Sequence, residues 1–368
     1  MPQVTRISMR SAIDFHPCDV YLRRSPSVKR LSMNLLLTAG IGAIAAGLVM
    51  TAQAAPAYHI AREVVVSGDD GWDYLNADVA TGRLYVSHGS KVQVLKTADL
   101  SSMGEIADTP GVHGVAIAAD LGRGYISAGK SDSIVVFDLG TLARLHEIKS
   151  SGANPDAILY DPATHQVFSF NGRGRNATVI DARNDSIVAT IALKAKPEFA
   201  VTDLAGHIYV NLEDAGSIAV IDAGKHSLQA TWTLAGCEDP TGLAIDRAHS
   251  RLFSVCSNKV MAVVDATSGS VLAMLPIGGR VDGVAFDPAT QLAFASGGDG
   301  TLTIVHEDTP DKFSIAQTVQ TRAGARTLTV DEKTHRIYTV TAKYIASAES
   351  AGQMRIAPGT FTVLVLEP

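Results

Sequence analysis

The chain has 368 residues, 46% of them hydrophobic and only 18% charged, with 32 Gly, 14 Pro and 6% aromatic residues. That composition excludes a disordered or fibrous protein and favours many tight turns over long helices, so all-β is the expected class. The formal net charge of −6 is unevenly spread, because residues 1–54 hold six Lys/Arg (Arg6, Arg10, Arg23, Arg24, Lys29, Arg30) against Asp14 and Asp19 and leave 25 basic and 35 acidic residues beyond, which makes binding to a phosphate backbone unfavoured.

The first element is a leader. Lys29-Arg30, an apolar run from Leu35 to Met50 and Ala52-Gln53-Ala54 follow the order of a secretory signal peptide, with the cut after Ala54. The run is shorter than the roughly 20 residues of a spanning helix, so no stable membrane insertion is expected after cleavage. Residues 1–27 show no apolar periodicity and precede a second possible start, Met33. The chain therefore reads as a leader, 1–54, and one mature domain, 55–368, that is periplasmic or secreted and monomeric. Of three cysteines, Cys18 falls in the leader, and the remaining pair, Cys237 and Cys256, predicts a disulfide in an exported protein.

A strand, Ile60–Val66, comes next, followed by a unit that repeats. An aromatic residue opens a short strand at Tyr85, Tyr125, Phe168, Tyr209, Phe253, Phe294 and Tyr338, at spacings of 40, 43, 41, 44, 41 and 44. Periods of that size without helical patterning are the signature of four-stranded propeller blades. Ahead of the aromatic strand lies a turn with Asp78, Asp161, Asp203, Asp246, Asp287 or Asp331, and in the second unit Asp120. These carboxylates are turn-formers that accept from backbone N–H groups two residues on. Third strands end in a second turn Asp at Asp138, Asp181, Asp222 and Asp265. His165, His207, His249 and His335 also sit in the first turns. A left-handed turn position, where His is enriched, explains them better than a ring of metal ligands.

The last unit interposes Lys343–Gly359 before its third strand, Thr360 onward, and the sequence ends without a fourth. Ile60–Val66 is expected to supply that strand and remove two open sheet edges. The expected fold is thus a seven-bladed β-propeller closed by its N-terminal strand, with the Lys343–Gly359 excursion placed over the channel entrance.

The aromatic-Val-Ser/Thr-Asn strands, the Asp-Pro-Ala-Thr turns, the Val-Ile-Asp-Ala third strands and the ending Pro358-Gly-Thr-Phe-Thr-Val-Leu-Val resemble the YVTN-type, YncE-like β-propeller proteins of bacteria. The resemblance spans the whole mature chain. It implies an exported repeat protein of that fold and names no reaction.

Enzymatic signatures are missing from the sequence: no Gly-x-Ser-x-Gly elbow, no His-Glu-x-x-His, no phosphate-binding loop and no Cys-x-x-Cys-His occur. The remaining signal is positional. Twelve residues before each aromatic, eleven in the fourth unit, the innermost strand begins at Asp73, His113, Asp156, Glu198, Thr241, Asp282 and Arg326. Three residues after the aromatic, the second strand ends on the same face, at His88 and Asn171 among others. These positions predict a polar ring at one channel mouth, with Asp73, His88, His113, Asp156, Asn171, Glu198, Asp282 and Arg326 as candidate ligand-binding residues and none assigned as catalytic. Carboxylates crowded in a ring repel unless a cation, Arg326 or protonation relieves them, so a divalent cation is the one cofactor the ring suggests. The expected function is non-catalytic binding of a small molecule or a periplasmic protein. The alternative is a divalent-metal-dependent, lactonase-like hydrolase resembling the six-bladed gluconolactonase-like propellers, for which Asp, Glu and Asn171 are suitable oxygen ligands.

Overall fold

The computed structural model describes residues 57–346 and 354–368; the predicted leader lies outside them. Seven antiparallel four-stranded sheets form the blades of a propeller. The first blade runs Trp72–Asp78, Arg83–His88, Lys91–Lys96 and Ser102–Ile106, and the next five repeat that order along the chain. Among the described residues no helix is long and apolar enough to cross a membrane.

The seventh blade is built from both ends of the domain. Leu328–Asp331, Arg336–Thr341 and Thr362–Glu367 supply three strands, and His59–Val65 supplies the outer one, paired antiparallel from His59 with Glu367 to Val65 with Thr362. The sequence placed this strand one residue late at each end. Tyr58 fixes the seam: its hydroxyl donates to the His335 carbonyl at 3.0 Å, and its ring packs edge-on against Phe294 at 5.0 Å.

The turns follow from their aspartates. Asp78 Oδ1 accepts from Ala80 N–H at 3.1 Å, Asp287 Oδ1 from Ala289 at 3.1 Å and Asp331 Oδ1 from Lys333 at 3.0 Å. The turn histidines need a correction. His165 and His335 do take the left-handed conformation (φ 53° and 59°), but His207 and His249 do not, because Gly206 just before the one and Ser250 just after the other occupy that position.

Hydrophobic stabilisation is distributed over seven layers between neighbouring blades, for example Phe253 stacked on Phe286 at 5.1 Å between the fifth and sixth. Each layer is a nearest-neighbour contact, as in other repeat proteins. The hydroxyl that follows the aromatic strand opening has a separate task. Ser127 Oγ accepts from Gly114 N–H at 2.9 Å and donates to the Asp156 carbonyl of the next blade; Ser296 Oγ donates to the Arg326 carbonyl at 2.6 Å. Thr327 Oγ1 likewise donates to the Asp73 carbonyl at 2.7 Å, joining the seventh blade to the first. These buried hydroxyls fix the starts of the innermost strands and so the side chains that line the axis. In the fifth blade Cys237 and Cys256 form the expected disulfide, their Cα atoms 5.4 Å apart.

Candidate functional site

Asp73, His113, Asp156, Glu198, Thr241 and Asp282 are each the second residue of an innermost strand, and Arg326 stands two residues ahead of the last one. In the first six blades the register with the neighbouring strand shifts at this point, as between Trp72 and Leu75 or Pro155 and Ile158. A bulge of this kind re-aims one side chain out of the sheet. Here it turns the second residue toward the axis.

The result is a chain of charged contacts around one mouth. Arg326 Nε donates to Asp282 Oδ2 at 2.7 Å, and its terminal nitrogen lies 3.0 Å from the Trp72 carbonyl and 3.7 Å from Asp73 Oδ1. His113 Nδ1 is 2.6 Å from Asp73 Oδ2 and 3.6 Å from Asp156 Oδ1. Lys196 Nζ donates to both Glu198 and Glu213. Six of the sequence candidates, Asp73, His113, Asp156, Glu198, Asp282 and Arg326, are therefore brought together.

Tyr74, the residue after Asp73, lies inside this ring. Its aromatic ring meets Phe199 of the fourth blade edge-on at 5.0 Å, spanning the axis. The Tyr74 hydroxyl is raised well above its ordinary pKa by burial and then by the charges of Asp156, Asp73, Asp282 and Glu198. Tyr74 and Phe199 thus form an aromatic pair whose phenol is within the influence of four carboxyl groups.

Burial dominates the electrostatics. Asp156 and Glu198 are each only 8% exposed. Burial, then the charge of Asp73 working against His113, pushes Asp156 up to about 7. Burial and the Asp156 charge push Glu198 up to about 8 despite Lys196. Asp282 rises to about 6 through burial and Asp73, with Arg326 opposing. Burial alone would lower His113, but its bond to Asp73 and the charges of Asp156, Asp73 and Glu198 outweigh that and raise it to about 8. Five carboxyl groups (Asp73, Asp156, Glu198, Glu213, Asp282) face three cationic groups (His113, Lys196, Arg326). Two carboxyls are left over, and Asp156 and Glu198 are the pair held highest.

Two candidates lie elsewhere. His88 is buried, stacked on Phe361 at 4.1 Å with Nε2 2.9 Å from the Asp70 carbonyl, and burial lowers its pKa. Asn171 is spent on its own blade and the connection into it, donating to Asn176 Oδ1 at 2.7 Å and accepting from Ser150 Oγ at 2.7 Å. Both end a second strand, where alternation turns the side chain into the packing between sheets rather than toward the axis. The excursion after Lys343 starts and ends as a short hairpin, Tyr344–Ala346 with Met354–Ile356. Tyr344 sits 6.2 Å from the Trp72 ring, over which the Arg326 guanidinium also lies; the hairpin's tip falls outside the described residues.

Sequence reasoning missed Tyr74, Lys196, Phe199 and Glu213. Tyr74 and Phe199 directly follow ring positions, so the bulge that turns one residue inward carries the next with it. Lys196 precedes an innermost strand and Glu213 opens a one-turn 3-10 helix after a second strand, and neither carries a repeat signal. An open cleft of about 530 Å³ between the fourth and fifth blades, lined by His207, Trp232 and Arg247 among others, touches none of the ring residues.

Solved structures with this architecture include Kuenenia stuttgartiensis hydrazine synthase (17% identity, TM-score 0.66, covering 75% of this chain and 94% of that one). They also include U3-55K (10%, TM-score 0.69, 83% and 98%) and the RRP9 WD40 repeats (11%, TM-score 0.70, 86% and 99%). No family model and no curated protein sequence matches the chain. At these identities the likeness is one of fold: the chain is similar to these proteins in being a seven-bladed β-propeller.

Proposed function

We propose that the protein is an exported, non-catalytic propeller that binds a small organic cation at the mouth formed by Asp73, His113, Asp156, Glu198, Asp282 and Arg326. The observation that carries this reading is the excess of five carboxyls over three cationic groups beside an aromatic pair, with the buried Asp156 and Glu198 the two carboxyls held highest. A protonated amine placed there would let both ionise, exchanging two costly neutralised acids for ion pairs. The rings of Tyr74 and Phe199 add faces that favour a cation. Export rests on the leader pattern and agrees with the disulfide; kinship with the YVTN-type, YncE-like proteins rests on the repeat motifs.

Calorimetric titration with short mono- and diamines at pH 6 and pH 8, in buffers of different ionisation enthalpy, tests the proposal. Binding is expected with net release of protons at pH 6, and it should weaken strongly in the double variant D156N/E198Q. Binding that releases no proton, or that survives the double substitution unchanged, rejects it.

One observation favours the hydrolase alternative: Asp73, His113 and Asp156 offer ligand atoms all within 4.8 Å of one another. Against it, His113 Nδ1 is already engaged with Asp73 Oδ2 at 2.6 Å, a contact that a metal would have to displace. Divalent ions that displace the amine and require His113 would reverse this preference.

A further inference from the structure

The face opposite the mouth carries a second cluster, and the repeat itself shows that it is unusual. In the blades before the sixth, the residue after the third strand's turn position sends its N–H to the first turn: Thr97 to Gly82, Leu139 to Gly122, Ala182 to His165, Ala223 to Gly206 and Ala266 to Ser250, at 2.9–3.0 Å. The sixth blade makes the same bond, from Glu307 to the Gln291 carbonyl at 2.9 Å. Its residue is a glutamate where the other five have threonine, leucine or alanine.

The Glu307 side chain is fully buried and meets Asp246 and His249 of the fifth blade. His249 Nδ1 lies 2.7 Å from Asp246 Oδ2 and 2.8 Å from Glu307 Oε1. Neither approach is a hydrogen bond, since neither oxygen lies along the direction of a proton on Nδ1; His249 Nδ1 and both Glu307 oxygens make no hydrogen bond among the described residues. Arg251, two positions after His249, is spent on Asp265, Asp311 and nearby carbonyls. Asp246 accepts the backbone N–H groups of Ala248 and His249 at 2.9 and 3.3 Å, whereas corresponding aspartates also receive side chains: Asp287 receives His335 Nδ1 at 2.7 Å, and Asp161 receives Thr164 and Thr202 hydroxyls at 2.7 and 2.9 Å. Two buried carboxyl groups and an imidazole nitrogen that converge with both Glu307 oxygens and His249 Nδ1 left without a hydrogen-bond partner is an arrangement that a cation resolves and that is costly otherwise.

We propose that Asp246, His249 and Glu307 form a binding site for one divalent transition-metal ion of the zinc type, bridging the fifth and sixth blades. One imidazole with two carboxylates suits zinc better than calcium, which takes oxygen ligands alone and more of them. His249 is 32% exposed, leaving a solvent path for entry and for a water in the remaining coordination position.

The test uses the purified protein, stripped with chelator and titrated with Zn²⁺ or Ca²⁺ by calorimetry, with metal analysis and thermal unfolding alongside. One Zn²⁺ per chain is expected, with affinity falling roughly tenfold or more in H249A and E307A. E307A carries the residue found in three sister blades, so it should fold. Metal-free, it should unfold at a higher temperature than the wild type, whereas added Zn²⁺ should raise only the wild-type transition. The mouth variant H113A separates the two faces and should keep full Zn²⁺ affinity. No Zn²⁺ binding, preference for Ca²⁺, unchanged affinity in a folded E307A, or loss of binding in H113A alone would each overturn the assignment.

Discussion

His113 Nδ1 lies 2.6 Å from Asp73 Oδ2, and this contact ties the innermost strands of the first two blades at the point where both turn toward the axis. It holds the imidazole protonated up to about pH 8, above its ordinary value. A base whose folded pKa is raised stabilises the native state fully below its unfolded value, and that contribution is lost as pH rises through the folded one. The melting temperature should therefore fall between about pH 6.5 and 8, and H113Q should flatten this part of the profile. A wild-type profile no steeper than that of H113Q would exclude the ion pair.

Asp156 and Glu198 act in the same direction for the opposite chemical reason. Their carboxyls sit at about 7 and about 8 when folded, so the native state binds more protons than the unfolded chain above about pH 4. Stability should decline as pH rises from there and level off once both have ionised. D156N/E198Q should fold, lose most of this slope and gain stability above pH 8. Unfolding of both proteins in urea from pH 5 to 9 measures it.

The fold was legible because its signals are local and repeated. Aromatic openings, turn aspartates and a missing last strand are each fixed by nearest-neighbour sterics or hydrogen bonds, and seven copies average out any single misreading. The ring was legible only by position. Asp73, Asp156 and Asp282 were placed by counting from the aromatic, but the count cannot see the bulge that turns their side chains inward. The same count gave His88 and Asn171, whose strands end without a bulge and keep their side chains between the sheets. Lys196 and Glu213 escaped because residues between strands have no register to count, and Glu307 because a single acidic residue in a repeat stands out only once the equivalent backbone bonds are seen.

The disulfide should be closed in the purified protein. Thiol titration of unreduced, denatured material should find none free, and replacing Cys237 and Cys256 by alanine should cost about 3 kcal/mol in urea unfolding, the chain-entropy value for a loop of this length (separation 19). Two reactive thiols would refute the bridge.

Tyr58 tests the seam. Y58A removes a buried ring packed on Phe294 and should cost about 3 kcal/mol or more, whereas Y58F, which removes only the hydroxyl bond to His335, should cost about 1 kcal/mol. Equal losses in the two variants would show that the ring contributes little to closure.

Pairing His59–Val65 with Thr362–Glu367 also sets the order of events during biosynthesis. The strand made first has no partner until the strand made last has been synthesised, so the interval between them is nearly the whole domain. Six blades can assemble on their neighbours as they emerge, while the circle waits for its final residues with an apolar edge open at each end. Such distant pairings are slow to form and expose sheet edges meanwhile. Until that last strand pairs, the two open edges of the ring are where a wrong partner could add.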